Sequence, residues 1–174
     1  MHPRLTELLE YVDKQTEVLR RAYESVPPEQ RAVRTAPDRW SPAEVVHHLA
    51  MVEGRLALRL GQLIEQARAL PPEIETTSAL TKQSTIGVVD RTARFVTSET
   101  MEPRDTDPNR VWDELMAARR ESIRVIQTGD GLALGAVSAP HPRLGAFTGY
   151  EWIAFIGSHM ARHADQIREM NLAR

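Results

Sequence analysis

The chain has 174 residues with an ordinary apolar content and a formal net charge of -2, which fits one globular domain over residues 1–174 with enough chain to bury a core. The mild acidity speaks against nucleic acid as partner, since no basic excess is present to release counterions. Cysteine is absent, so disulfides, cysteine-type zinc sites and a protein thiolate nucleophile are excluded. The first 25 residues are polar and amphipathic without an apolar signal core, and no apolar run approaches a membrane span, so a cytoplasmic location with no membrane partner is expected.

In chain order, Leu5, Leu8, Val12, Thr16, Leu19 and Tyr23 recur at spacings of three and four, which predicts a long amphipathic helix from Pro3 to about Val26, ended by Pro27-Pro28. The second helix opens with Ser41 as N-cap, Pro42 at N1 and Glu44 at N3, a capping box, and Trp40 is placed to staple onto Val45. Its apolar stripe is Val45, Leu49, Val52, Leu56, Leu60 and Leu63, and Pro71-Pro72 stops it. From Pro71 to Asp107 no period is sustained, and Ile86 to Val96 reads equally as short helix or strand; a connection this long is usually functional or mobile. The third helix starts near Asp107-Pro108, buries Val111, Leu115, Ala118, Ser122 and Ile126, and stops at Gly129-Asp130-Gly131. A loop rich in Gly, Ala and Pro, containing His141-Pro142, leads to the fourth. That helix repeats the grammar of the second, with Thr148 as cap, Glu151 at N3, Phe147 stapling onto Trp152, and Ile153, Ile156, Met160, Ile167 and Met170 apolar. Four long amphipathic helices with little convincing strand predict an all-α fold, a four-helix bundle with a long connection between its second and third helices.

Polar residues on the buried stripes carry the chemistry. His159 and His163 stand four apart on one face of the last helix, the geometry from which two imidazoles hold one metal ion, a third ligand coming from a neighbouring helix. At roughly 100 degrees per residue, His163 falls near the middle of its stripe and His159 about 60 degrees from Ile156, while His48 lies about 70 degrees from the core direction of helix two and His47 nearly opposite it, in solvent. A single inward histidine is ordinarily a hydrogen-bonded core residue. An inward pair must satisfy four ring nitrogens, and the pair plus His48 forms a set suited to a divalent ion with an open position. His2, at a mobile terminus, and His141, in a loop, have no such support. Arg119 continues the inward face of helix three, either snorkelling or paired with Glu44 or Glu53, or contacting an anion near the metal. Arg162 and Gln166 flank the histidine pair, where they orient ligands, meet substrate or simply lie at the surface; Arg59 is equally ambiguous. No general base is evident, because Glu44 falls behind the core face and Glu53 to its side, and no catalytic residue is assigned.

Trp40-Ser41-Pro42-Ala43-Glu44-Val45-Val46-His47-His48-Leu49-Ala50, together with His141-Pro142-Arg143-Leu144-Gly145, Glu151-Trp152-Ile153 and His159-Met160-Ala161-Arg162-His163-Ala164-Asp165-Gln166-Ile167, resembles the DinB-like superfamily, the YfiT-like group of small helical proteins. Both its W-[ST]-x-x-E-x-x-x-H-[LI] and its H-x-x-x-H-x-x-Q-[IL] patterns match, and the likeness is loosest between Ala69 and Pro108. The resemblance implies a four-helix bundle, commonly a homodimer, with a divalent metal, often nickel or zinc, on His48, His159 and His163. All-imidazole ligation also suits iron or copper. It further implies a small-molecule substrate and either thiol transfer, with a low-molecular-weight thiol as cosubstrate, or hydrolysis. A fold and a metal site do not fix the reaction, so a non-catalytic metal or small-molecule binder of the stress-response type, and a structural dimer whose histidines satisfy one another, stand beside the enzyme.

Overall fold

The computed structural model describes residues 1–69, 78–92 and 98–172, with side chains to 170. Helix α1 spans Pro3–Glu24 and α2 spans Pro42–Gln66. A single turn, α3, covers Ile86–Val89, and α4 runs over Val111–Thr128. Strands β1 (Ser138–His141) and β2 (Gly145–Thr148) precede α5, Gly149–Leu172.

Local chemistry accounts for most boundaries. The capping box of α2 is complete: Glu44 N–H donates to Ser41 Oγ at 3.2 Å, and Ser41 N–H donates to Glu44 Oε2 at 2.7 Å. The same exchange opens α5, where Thr148 N–H reaches Glu151 Oε2 at 2.9 Å and Glu151 N–H reaches Thr148 Oγ1 at 3.3 Å. Each satisfies amides that a helix start leaves unpaired. The staple on α5 is also present, with the Phe147 and Trp152 rings edge to face at 5.3 Å. His2, expected at a mobile terminus, instead caps α1: its Nδ1 accepts from Arg4 N–H at 3.3 Å, and its own N–H donates to Asp130 Oδ1 at 2.6 Å.

The four long helices close a ring of contacts: α1 lies on α5, α5 on α2, α2 on α4, and α4 returns to α1. Leu5, Leu8, Leu19, Val45, Leu60, Leu115, Ile126, Ile153, Met160 and Ile167 fill the interior, so the fold is all-α, a four-helix bundle. The stripes expected from the sequence lie on the buried faces, but Thr16 and Val52 are only half-buried, with Glu53 buried beside Val52, and α4 departs in the same way. There Arg119 is buried while Ala118 sits at the margin, because a paired guanidinium occupies the central position.

Two connections depart from expectation. The Gly-, Ala- and Pro-rich loop before α5 is an antiparallel hairpin, with Ala139 opposite Phe147 and His141 opposite Gly145. Gly145 takes φ +83° in its turn, a conformation that side chains disfavour. Phe147 is fully buried, and Trp152 Nε1 donates to the Ala139 carbonyl at 3.3 Å, which seats the hairpin on α5. In the long α2–α4 connection the ambiguous stretch, Ile86 to Val96, resolves as helix at Ile86–Val89, packed on α5 through buried Val88; 90–92 form neither helix nor strand, and 93–96 lie outside the described residues. Among the described residues no helix is long and apolar enough to cross a membrane.

Candidate metal centre

The capping box fixes where α2 starts, and His48 lies seven residues past Ser41, on the side turned toward α5. His159 and His163 follow one another by a turn on α5. The structure brings all three together: each offers a ring nitrogen within 4.8 Å of the others'. His48 and His163 are buried, at 5 % and 8 % exposure, while His159 is partly buried.

Hydrogen bonds decide which nitrogens are available. His48 Nδ1–H donates to the Met101 carbonyl at 2.9 Å, and His163 Nδ1–H donates to Gln166 Oε1 at 2.8 Å. Both bonds place the ring proton on Nδ1 and leave Nε2 as a lone pair. The Nε2 atoms of His159 and His163 stand 3.0 Å apart. In the metal-free protein one N–H···N bond between them satisfies the pair. Two nitrogens on a shared divalent ion, each at about 2.0–2.1 Å from it, come to within about 3 Å of one another, so the arrangement fits an ion as well. Burial also favours ligation. Desolvation pushes His163 down to about 3, helped by the charge of His48. Desolvation, then the charges of His163 and His48, hold His159 well below the usual imidazole range. Desolvation lowers His48 too, opposed by its bond to Met101. Neutral imidazoles are the form that binds metal.

Aromatic rings wall the centre. Trp40, expected to staple onto Val45, lies over His48 with centroids 4.8 Å apart. Phe155 stacks on His159 at 5.0 Å and 17°. His141 packs on Phe155 at 5.1 Å, and its Nδ1 accepts the Arg143 and Leu144 amides at 3.2 and 3.1 Å. The hairpin thus reaches the edge of the centre.

The remaining candidates fall elsewhere. His47 is not free in solvent: it is partly buried, and its Nδ1 meets Thr106 Oγ1 at 2.9 Å. Together His47 and His48 hold the segment Met101–Thr106 against α2. That segment borders an open cavity of about 460 Å³ lined by His47, Met51, Glu99, Thr100, Glu102 and Arg104, which none of the three clustered histidines enters. Arg119 pairs with Glu53, Nε to Oε1 at 2.5 Å and Nη2 to Oε2 at 3.0 Å, so its partner is a protein carboxylate. Glu44 is engaged by Arg34, and Arg59 is exposed. Gln166 orients His163. The Met101 carbonyl escaped sequence reasoning, because a backbone acceptor has no residue signature. Phe155 was accessible to it, one turn before His159 on the same face.

A four-helix bundle with an inward group of three histidines, two of them one turn apart, defines a class of small helical proteins able to hold a divalent ion. The chain belongs to the DinB superfamily, whose family model matches residues 11–167. No curated protein and no solved structure gave a significant match.

Proposed function

We propose that this chain is a divalent-metal protein whose ion is held by His48, His159 and His163, and that it is a metal-dependent enzyme of the thiol S-transferase or hydrolase type. The observation that carries the reading is the convergence of three imidazole nitrogens within 4.8 Å, drawn from two helices and kept neutral by burial. Nickel or zinc is the ion that the family resemblance favours, and the all-imidazole set suits iron or copper as well. When bound, such an ion supplies Lewis acidity that turns water or a low-molecular-weight thiol into a nucleophile at neutral pH. The protein's part is to aim and desolvate. Met101 and Gln166 hold the ligand tautomers, while Trp40 and Phe155 keep two rings in place and limit water. The chain lacks cysteine, so an attacking sulfur must come from a small-molecule thiol. A homodimer in the cytoplasm acting on a small-molecule substrate is part of the same reading, on grounds of family and composition.

The nearby carboxylates favour a second reading. Glu53 is bound by Arg119 and Glu44 by Arg34, which leaves neither available as a general base. A non-catalytic metal or small-molecule binder of the stress-response type needs no such group.

Metal analysis of protein purified without a histidine tag tests the centre. About one ion per chain is expected, lost in a folded His163→Ala variant. Wild-type protein given nickel, zinc and iron that retains none would refute it. Turnover of model electrophiles with thiols, or of ester and amide substrates, separates enzyme from binder.

A further inference from the structure

The connection between α2 and α4 touches both helices that carry the clustered histidines. Near α3 it is tied to α5 by Arg162, whose Nη1 donates to the carbonyls of Val88, at 3.3 Å, and Asp90. Farther on, residues 99–106 lie against α2, where two neighbouring histidines hold them. His48 Nδ1–H donates to the Met101 carbonyl at 2.9 Å, and His47 Nδ1 meets Thr106 Oγ1 at 2.9 Å. Successive residues leave a helix about 100 degrees apart, so the two rings grip the segment at separate points along its length.

Met101 can orient His48 only if the segment itself is held in place. An imidazole that ligates through Nε2 carries its proton on Nδ1, and the acceptor at Nδ1 decides both tautomer and ring direction. For His163 that acceptor is Gln166, a turn away on the same helix and aimed by the helix itself. The Met101 carbonyl has no such support, because it belongs to a short 3₁₀ turn, Glu99–Met101, outside the bundle helices. The bonds of Thr100 to Arg55 and of Glu99 to Arg104 are solvent-exposed and hold little. An open cavity of about 460 Å³ is lined by His47 and Met51 of α2 and by Glu99, Thr100, Glu102 and Arg104 of the segment, so apolar packing does not close this seam. What remains is buried Pro103 and the contact of Thr106 with His47. Directly before that contact Asp105 holds φ +51°, the only positive φ at a residue other than glycine among the described residues. Such a backbone persists only where its surroundings enforce it.

We propose that the His47–Thr106 bond is a latch for the metal centre: it holds the segment so that the Met101 carbonyl keeps the His48 proton on Nδ1 and leaves Nε2 free for the ion. His47 and Thr106 are then positioning residues, which set metal affinity without touching the ion. The proposal rests on the metal reading above and gives the outward histidine of the doublet a role in it.

The test combines nitrogen-15 NMR of the histidine rings in chelator-treated protein, above neutral pH, with zinc affinity measured by competition against a chromophoric chelator. Wild-type His48 is expected as a single tautomer with its proton on Nδ1. In Thr106→Val, which removes the hydroxyl and keeps the shape, the shifts of the two His48 nitrogens converge as both tautomers are populated. Zinc affinity falls about tenfold, the low end of what losing an outer partner of a ligand costs. Thr106→Ser restores tautomer and affinity. His47→Ala repeats the effects of Thr106→Val, and the double variant adds little to either, because both remove one bond. The denaturation midpoint of the metal-free variants stays at the wild-type value. Thr106→Val with a single His48 tautomer and wild-type zinc affinity overturns the proposal. So do additive losses in the double variant, or an affinity loss that follows the denaturation midpoint while the tautomer stays fixed. If the wild type takes up no zinc, nickel or iron, the metal reading itself falls, whereas the tautomer measurement, made without metal, still decides whether the latch orients His48.

Discussion

Three imidazoles sit where a charge is hardest to hold. Their neutrality has a consequence for the protein without its metal. In the unfolded chain a histidine titrates near 6.5; in the folded chain His163 is driven to about 3 by burial and the His48 charge, and His159 and His48 move the same way. The unfolded state therefore binds more protons below 6.5, and stability falls as pH falls. The contribution is fully present above 6.5 and is lost progressively as pH drops toward 3. The other charges that bear on the three rings are those of Arg162, Arg91, His141 and His47, each opposing protonation of the rings. Metal-free protein should lose up to about 1.4 kcal/mol per pH unit through His163 between pH 6.5 and 5, above the carboxylate range, with His159 and His48 acting in the same direction. Guanidinium unfolding at pH 7, 6 and 5 in the presence of a chelator measures this. An unchanged midpoint across that interval would show that the rings are solvated in the folded state.

At the level of elements, α1 and α5 are in tight contact where Gly157 meets Tyr11. A Cβ at 157 would stand 2.8 Å from Cε1 and 2.9 Å from Cδ1 of that ring, whose hydroxyl is bonded to Ser158 Oγ at 3.0 Å. Gly157→Ala gains helix propensity, about 0.5–1 kcal/mol, but must displace an aromatic ring held at both ends, a cost of about 1–3 kcal/mol. The clash wins, and a net loss of about 1 kcal/mol in chemical denaturation is expected. Gly157→Ala combined with Tyr11→Ala removes the conflict and should reverse the sign of the glycine substitution. These elements differ in how far they could be read from sequence. The starts of α2 and α5 were legible because capping boxes act within four residues, and the inward phase of His48, His159 and His163 was legible because helical periodicity is local. The hairpin before α5 was not. Ser-Ala-Pro-His and Gly-Ala-Phe-Thr have weak strand propensity, and what holds them is Phe147 sinking into a core assembled from distant residues together with the Trp152 bond to Ala139. The Met101 contact was hidden for the related reason that a carbonyl in an aperiodic connection is placed only by the finished bundle.

The whole molecule is tied together at one buried ion pair. Arg119 of α4 reaches Glu53 of α2 with two bonds, Thr16 of α1 through Nη1 at 2.5 Å, and Met160 Sδ of α5 through Nη2 at 3.1 Å. Thr16 in turn donates to the Val12 carbonyl at 2.8 Å. One side chain thus touches every long helix, and its anchor Met160 is the neighbour of His159. Such a pair stabilises little relative to well-packed apolar groups, because removing both charges from water costs about as much as their attraction returns. Breaking it is another matter. Glu53→Ala strands a guanidinium in the core and should cost about 3–5 kcal/mol, with a lowered midpoint and an unchanged denaturant slope if the bundle still unfolds as one unit. Glu53→Leu with Arg119→Met removes both charges and should recover most of that loss. The comparison also tests what the pair is for. If it serves register, the double variant keeps near wild-type stability but places Met160, and with it His159, less exactly, so its metal affinity falls although no ligand has changed. If it serves stability alone, metal affinity follows the midpoint. A double variant as unstable as Glu53→Ala alone would mean that the polar network contributes net stability here.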